Sequence, residues 1–137
     1  MSDSLRVIEG LTSIQSGFGP KETMDRLETE IRTRGLNVFA RIDHSAGAAE
    51  AGLTLAPTEL IIFGNARGGT PLMQWTQTVG IDLPLKILVW QDASGKTWLS
   101  YNEPRWIAQR HAIANKDAVL SKMNDMLGAM AKKAANG

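Results

Sequence analysis

The sequence predicts an α+β fold, a single two-layer domain with a mixed sheet of about five strands and helices mainly on one face. Three observations lead to this prediction. Strand-like and helical patterns follow one another in the order β-α-β-(α)-β-α-β-β-α-α. The length, 137 residues, is that of one ordinary domain. The composition, 43% hydrophobic and 21% charged, is typical of a globular protein. Residues 1–137 are therefore expected to form one domain.

The first third of the chain contains two predicted strands and two predicted helices. Residues 11–16 alternate weakly and are interpreted as a first strand. A helix is expected over residues 21–34, where apolar side chains recur on one face and Glu-before-Arg pairs at i, i+4 line the other. Residues 36–42 alternate as a half-buried strand does. A short Ala-rich helix, capped by Ser45, is expected after it.

The middle of the chain combines a strand, a glycine-rich turn and a helix. A strand is expected over residues 59–63, because the unbroken apolar run at residues 60–63 is typical of a central strand covered on both faces. The turn over residues 64–69 contains three glycines. Thr70 and Pro71 are then a good cap and first residue for a helix over residues 71–79.

The last part predicts a hairpin followed by two helices. The hairpin joins strands 85–90 and 97–102 through a loop that contains glycine. A short helix is expected over residues 104–111, and a final one begins after a cap at Asn115 and ends at about residue 134. Its apolar stripe has helical spacing and is interpreted as part of the core, as a dimer seam or as an adaptable partner surface; it consists of Leu120, Met123, Leu127 and Met130. The tail after this stripe is expected to fray.

Charge and composition exclude several classes of protein. Fifteen Lys and Arg balance fourteen Asp and Glu, so no excess charge favours binding to nucleic acid or to an anionic membrane. Cysteine is absent, which excludes disulfides, thiolate catalysis and Cys-ligated metal centres. The N-terminus lacks the apolar region of a secretory signal, and the most apolar stretch, residues 60–63, is too short to span a bilayer. A soluble cytoplasmic protein is expected.

Two histidines are the first candidates for chemistry, because histidine is the side chain that titrates near neutrality unaided. His44 follows a predicted strand and His111 ends a predicted helix. Either is interpreted as a general base or a metal or haem ligand, or alternatively as a surface or capping residue. A site that used both would need a carboxylate such as Asp43, Glu50 or Glu103 to complete a metal shell. The spacings HxxxH and HExxH are absent.

Two further features have both a functional and a structural interpretation. The glycine-rich turn before the helix start can hold an anion on backbone N–H groups, with Arg67 adding charge, or it simply allows a tight turn. The Walker and GxGxxG patterns are absent. An aromatic group on the hairpin and the next helix is interpreted either as the lining of a pocket for a flat ligand or as part of a core or an interface. It consists of Trp90, Trp98, Tyr101 and Trp106.

Several segments together resemble a known family. They have the sequences RIDHSA, PTELIIFGN, GTPLM, IDLPLKILVW, WLSYNEP and RH, and they lie between residues 41 and 111. The chain is similar, over residues of about 10–113, to the bacterial and archaeal family called domain of unknown function 302. The resemblance implies a two-layer α+β domain, commonly dimeric, without an established reaction. By position it favours four polar site residues, His44, Asn65, Tyr101 and His111. Ala66 stands where the family often has proline.

The sequence leaves three functions open. The leading hypothesis is a homodimer that binds a small ligand or a cofactor, in its sharpest version haem or a metal held by His44 or His111. The second is an enzyme that uses His44 as a general base. The third is a ligand-free structural or regulatory protein that assembles through the stripe at residues 120–130. The identity of the ligand or cofactor does not follow from the residues.

Overall fold

A computed structural model describes residues 7–137 and contains five strands, five α-helices and one 3₁₀ helix among them. The strands are β1 (Leu11–Ser16), β2 (Asn37–Asp43), β3 (Thr58–Gly64), β4 (Leu85–Gln91) and β5 (Thr97–Asn102). The α-helices are α1 (Pro20–Thr33), α2 (His44–Glu50), α3 (Ala66–Trp75), α4 (Pro104–Arg110) and α5 (Asp117–Asn136). The 3₁₀ helix, Gln77–Asp82, lies between α3 and β4. The predicted α+β class and the five strands are confirmed.

The sheet has the order β1-β5-β4-β3-β2, and each neighbouring pair is antiparallel. The expectation of a mixed sheet was wrong in this respect. The strands β1 and β2 run in the same direction, but α1 carries the chain from one edge of the sheet to the other. They are therefore not neighbours, and every remaining connection joins antiparallel strands.

The main core lies between one face of the sheet and the two longest helices. Met24, Leu27 and Ile31 of α1 are fully buried there. Helix α5 covers the neighbouring part of the sheet, and it packs against α1. The sheet contributes alternate residues, as the period of a strand requires. They are Ile61, Phe63, Leu85, Ile87, Val89, Leu99 and Tyr101.

The C-terminal tail belongs to this core, and the expectation that it frays was wrong. Helix α5 continues to Asn136, and Ala131, Ala134 and Ala135 are at most 1% exposed. The backbone N–H of Gly17 donates to the Ala135 carbonyl at 2.9 Å. Alanines pack closely because they are small. The tail is therefore buried, although its sequence is not strongly hydrophobic. Much of the stripe is buried in the chain as well, so it is not free to form a dimer seam.

Three helix starts differ from the predicted ones. Helix α2 is capped by Asp43, whose carboxylate accepts from the Ala46 N–H at 2.9 Å, and not by Ser45. Helix α3 begins five residues early, because Asn65 caps it by accepting from the Gly68 N–H at 2.8 Å. Asn115 has a positive φ of 62° and does not cap α5, which begins after Lys116.

The hairpin between β4 and β5 is closed by Asp92. Its Oδ2 accepts from the Trp98 indole N–H at 2.9 Å. Its Oδ1 accepts from the backbone N–H groups of Ser94 and Lys96, each at 2.9 Å, and from the Ser94 hydroxyl at 2.8 Å. The bond from Trp98, followed by those from Lys96 and Ser94, holds the pKa of Asp92 well below its usual range.

We expect Asp92→Asn to destabilise the protein in a way that depends on pH. The pKa of this carboxyl is lower in the folded chain than its ordinary value of 3.8, so ionised Asp92 stabilises the fold above that pH. The stabilisation is lost as the pH falls toward the folded pKa. Urea unfolding of both proteins between about pH 2 and 7 should show a difference that is largest near neutrality and shrinks in acid. Asp125→Asn, at an exposed position of α5, is the control. A difference independent of pH would contradict the role of the charge.

Candidate functional site

A second, smaller core lies beside one end of the sheet, where β3 ends, β4 begins and β5 ends. Helix α3, the 3₁₀ helix, α4 and the first turns of α5 each contribute to it. Its buried members are Leu72, Val79, Ile107, Ala108, Ile113 and Leu120. Because this packing fixes the 3₁₀ helix against α4, polar side chains on these two elements are held at a constant separation.

Four polar side chains meet on these elements, and we call them the His111 cluster: Thr78, Asp82, Arg110 and His111. The Nε2 atom of His111 lies 2.5 Å from Oδ2 of Asp82, and Nδ1 lies 3.0 Å from Oγ1 of Thr78. The Nη1 atom of Arg110 donates to both carboxylate oxygens of Asp82, at 2.8 and 2.9 Å. The cluster therefore connects residues that are up to 33 positions apart in the chain.

The hydrogen bonds determine how protons are placed in the cluster. A carboxylate paired with arginine only accepts hydrogen bonds, so Nε2 of His111 carries a proton and donates to Asp82. In the neutral ring Nδ1 is then an acceptor, and the Thr78 hydroxyl donates to it. The His111 and Asp82 side chains are 8% and 13% exposed, whereas that of Arg110 is 51% exposed. Thr78 is exposed as well.

The four site residues expected from the family resemblance do not converge. His44 is exposed and is the first residue of α2. It follows the end of β2, where Asp43 lies opposite Glu59 of β3 in the strand register. Asn65 follows β3 at the opposite end, nearer the His111 cluster, and its side chain caps α3. Tyr101 is 5% exposed in the main core, and burial raises its pKa. Of the four, only His111 belongs to the cluster.

The other predicted sites also have structural roles. Residues 66–69 form the first turn of α3, so the glycine-rich turn is helical and not an open anion loop. Over residues 7–137, no three His, Asp or Glu side chains are grouped so that they could hold a metal ion. The aromatic set is divided: Trp106 packs on the smaller core, while Trp90 and Trp98 lie on the sheet face opposite Tyr101.

Sequence reasoning missed three members of the cluster. Asp82 and Arg110 lie in two segments that resemble the family, so a signal for them was present. Thr78 lies outside those segments. Nothing in its local sequence separates it from other exposed threonines, and its role appears only when the 3₁₀ helix packs against α4.

On the sheet face turned away from α1 and α5, a group of apolar side chains is only half-buried. Residues Leu60, Ile62 and Leu88 alternate with the core positions on β3 and β4. Trp90 stacks on Trp98 with ring centroids 6.3 Å apart. We call these five residues the open face. A contiguous group of exposed apolar side chains on a sheet is a candidate interaction site.

The described residues enclose a surface groove and a small internal cavity. A surface groove of about 600 Å³ runs between α1 and the end of α5, but its lining residues carry charges of both signs, and Lys21 and Asp25 among them form an ion pair. A cavity inside the smaller core measures about 10 Å³, which is too small for a ligand. The His111 cluster remains the stronger candidate.

Comparisons with known proteins agree with the fold. Residues 12–130 match the family model described as domain of unknown function DUF302. The crystal structure of an uncharacterized conserved DUF302 protein from Bacillus stearothermophilus has a TM-score of 0.83. It is 20% identical and covers 93% of this chain and 99% of its own, which shows the fold alone.

The relatives of this chain include two proteins from Brucella suis and Brucella abortus. The protein named fluoride-specific ion channel FluC 1 in Brucella suis biovar 1 (strain 1330) is 48% identical over 127 residues, which are 92% of this chain and 50% of that protein. FluC 1 of Brucella abortus biovar 1 (strain 9-941) is also 48% identical over 92% of this chain, and over 47% of its own length. The chain thus spans about half the length of these relatives. Within residues 7–137, no helix is long and apolar enough to cross a membrane.

Proposed function

The chain belongs to the DUF302 family, domains of unknown function, and we propose from its geometry that it is a module that binds a small anion and works as a homodimer. The His111 cluster is the proposed binding site and the open face is the proposed dimer interface.

The observation that carries the binding proposal is the half-exposed guanidinium of Arg110. Within the described residues its hydrogen bonds to protein all come from Nη1, which leaves Nε and Nη2 as donors toward solvent. A guanidinium edge of this kind matches the two oxygens of a carboxylate or phosphate. Asp82 holds this group in place and prevents it from swinging away. The relatives named for transport of fluoride, itself an anion, add support.

We expect Arg110→Gln to weaken anion binding by at least about tenfold, since a charged hydrogen bond contributes about 1.5–3 kcal/mol. Titration with fluoride, acetate and phosphate, followed by ¹H–¹⁵N NMR at constant ionic strength, measures the affinity. Shifts should be confined to residues near positions 78–82 and 110–113. Arg105→Gln is the matched control, because Arg105 lies on the same helix and is 59% exposed. Equal affinities of the two variants, or shifts centred on the groove beside α1, would contradict the proposal.

The open face supports a dimer formed by two copies of this chain. The open face occupies the three central strands, β3, β4 and β5, which at a spacing of about 4.8 Å and a rise of about 3.3 Å per residue present about 300 Å² in projection. In such a dimer the neighbouring strands and loops would supply the rest of the about 800 Å² per partner that a stable interface buries. Two such faces can stack in the aligned manner of a β-sandwich.

Leu88→Glu should raise the dissociation constant of this dimer by at least about tenfold, because a charge would be buried between the sheets. Native mass spectrometry and sedimentation at several concentrations measure the effect. Val119→Glu, at a position of α5 that is 37% exposed, is the control. A monomeric parent protein, or a dimer that Leu88→Glu leaves intact, would count against this interface.

A second candidate function follows from the relatives, of which this chain matches about half. In this alternative the domain regulates a fluoride channel and acts without a ligand of its own. The test replaces the matching half of the Brucella suis relative by this chain and measures fluoride efflux from liposomes. The chimera should support efflux like its parent, whereas deletion of that half should alter it. Efflux unchanged by the deletion would reject this alternative.

A further inference from the structure

Thr78, His111 and Asp82 form a continuous hydrogen-bonded chain whose exposed end is a hydroxyl group. The distance from Oγ1 to Nδ1 is 3.0 Å, and the distance from Nε2 to Oδ2 is 2.5 Å. A general base can activate a nucleophile when the two lie within hydrogen-bonding distance and a third group orients the base. Enzymes that use Ser or Thr hydroxyls share this arrangement on unrelated folds, so it is recognised by geometry.

The burial of the three side chains agrees with such a role. The imidazole and the carboxylate are 8% and 13% exposed, so their hydrogen bond is largely shielded from water. Thr78 at the other end is exposed and can be reached by a substrate. Arg110 fixes Asp82 through two bonds at 2.8 and 2.9 Å, and so acts on the hydroxyl only through the other two groups.

We propose that Thr78 is a nucleophile and that the chain hydrolyses small esters through an acyl intermediate on this residue. The proposal rests on the function proposed above in one respect, because the carboxylate product would bind at Arg110. Arg110 is in this scheme a positioning and product-binding residue. In this scheme the chain catalyses a reaction in addition to binding an anion, and the general base is His111 and not His44.

The first half of the reaction transfers the acyl group to the protein. Oγ1 of Thr78 forms a bond to the ester carbonyl carbon while Nδ1 of His111 takes the hydroxyl proton. The bond from that carbon to the alcohol oxygen breaks, and the leaving alcohol receives the proton from Nδ1. Asp82 stays ionised, holds the ring through Nε2 and stabilises the imidazolium that forms in between.

Water completes the cycle in the same manner. Nδ1 takes a proton from water as the water oxygen bonds to the acyl carbon. The bond to Oγ1 then breaks, and Thr78 recovers its proton from the imidazolium. The products are an alcohol and a carboxylic acid, which ionises at neutral pH. No oxidant, reductant or second substrate besides water is needed.

The test uses the full chain with p-nitrophenyl acetate. Release of nitrophenolate gives the rate, and mass spectrometry after an acid quench locates the acetyl group. We expect acetylation of the peptide that contains Thr78, and a rate lowered at least about 10²-fold in Thr78→Val and His111→Gln. Thr78→Ser should retain activity, which separates loss of the hydroxyl from loss of folding. An exposed imidazole hydrolyses activated esters slowly by itself, so His44→Gln is the matched control for this background. The His44→Gln variant should keep most of the parent's rate.

The outcomes separate this inference from the proposed function. Hydrolysis that Thr78→Val leaves unchanged, an acetyl group found elsewhere, or a rate that follows His44 would each overturn the role of Thr78. Acetate binding at Arg110, measured by NMR on the same samples, would then still support the anion module. Absence of both acetate binding and Thr78 acetylation would reject both proposals.

Discussion

Gly10→Ala is expected to lower the free energy of unfolding by about 3 kcal/mol. Gly10 has a φ of +76°, a conformation that costs other residues about 1–2 kcal/mol. A Cβ atom there would also lie 2.1 Å from Cγ and 2.4 Å from Cδ1 of Trp106. These atoms are close to the backbone of the tryptophan, so the ring must change its rotamer or the turn must shift. Such overpacking costs about 1–3 kcal/mol more.

The matched control for this change is Gly52→Ala. Gly52 has the same φ of +76°, but nothing lies within 4 Å of a Cβ added there. Gly52→Ala should lower the free energy of unfolding only by the backbone contribution, about 1–2 kcal/mol. Urea unfolding of the three proteins measures both effects, and tryptophan fluorescence reports on Trp106. Equal losses in the two variants would mean that the contact between Gly10 and Trp106 is not maintained in solution.

Ala131→Asp should destabilise the chain by roughly 3–5 kcal/mol, because it places an unpaired charge in the main core. Ala131 is 0% exposed and packs with α1 and the sheet. Ala129, two positions earlier on the same helix, is exposed. Ala129→Asp should therefore change stability by no more than about 0.5 kcal/mol. Thermal and urea unfolding compare the pair. Similar stabilities would indicate a frayed tail, the result that the sequence predicted.

Local sequence patterns predicted the helices and strands. The start of α3 and the order of the strands in the sheet depend on long-range packing. Helix α1 and the hairpin strands were predicted to within about two residues, because hydrophobic periodicity and turn residues are local. The start of α3 was predicted late, since Thr70 and Pro71 look like a helix start. Asn65 provides the better cap, and Pro71 is accommodated inside the helix. The sheet is antiparallel because α1 places β2 at the edge opposite β1, and no local sequence pattern specifies that position.

The residues of the candidate site likewise include one that the sequence predicted and others that only the fold identifies. His111 was found from the sequence because histidine is chemically distinctive wherever it lies. His44 was chosen on the same ground, yet β2 takes it to the other end of the sheet. Thr78 and Asp82 acquire their roles only from contact with His111, about thirty residues later in the chain. Such convergence depends on the smaller core, whose members come from four separate elements.

The joining of the two ends of the domain has a consequence for synthesis on the ribosome. Strand β1 has β5 as its neighbour in the sheet, and Gly17 bonds to Ala135 at the end of α5. Strand β1 therefore cannot pair until β5 has been made, and its end cannot be fixed until the last turn of α5 has been made. Until then β1 lacks its neighbour in the sheet, and α1 lacks its contact with α5. Completion of the fold during translation must follow the exit of residue 135 from the tunnel.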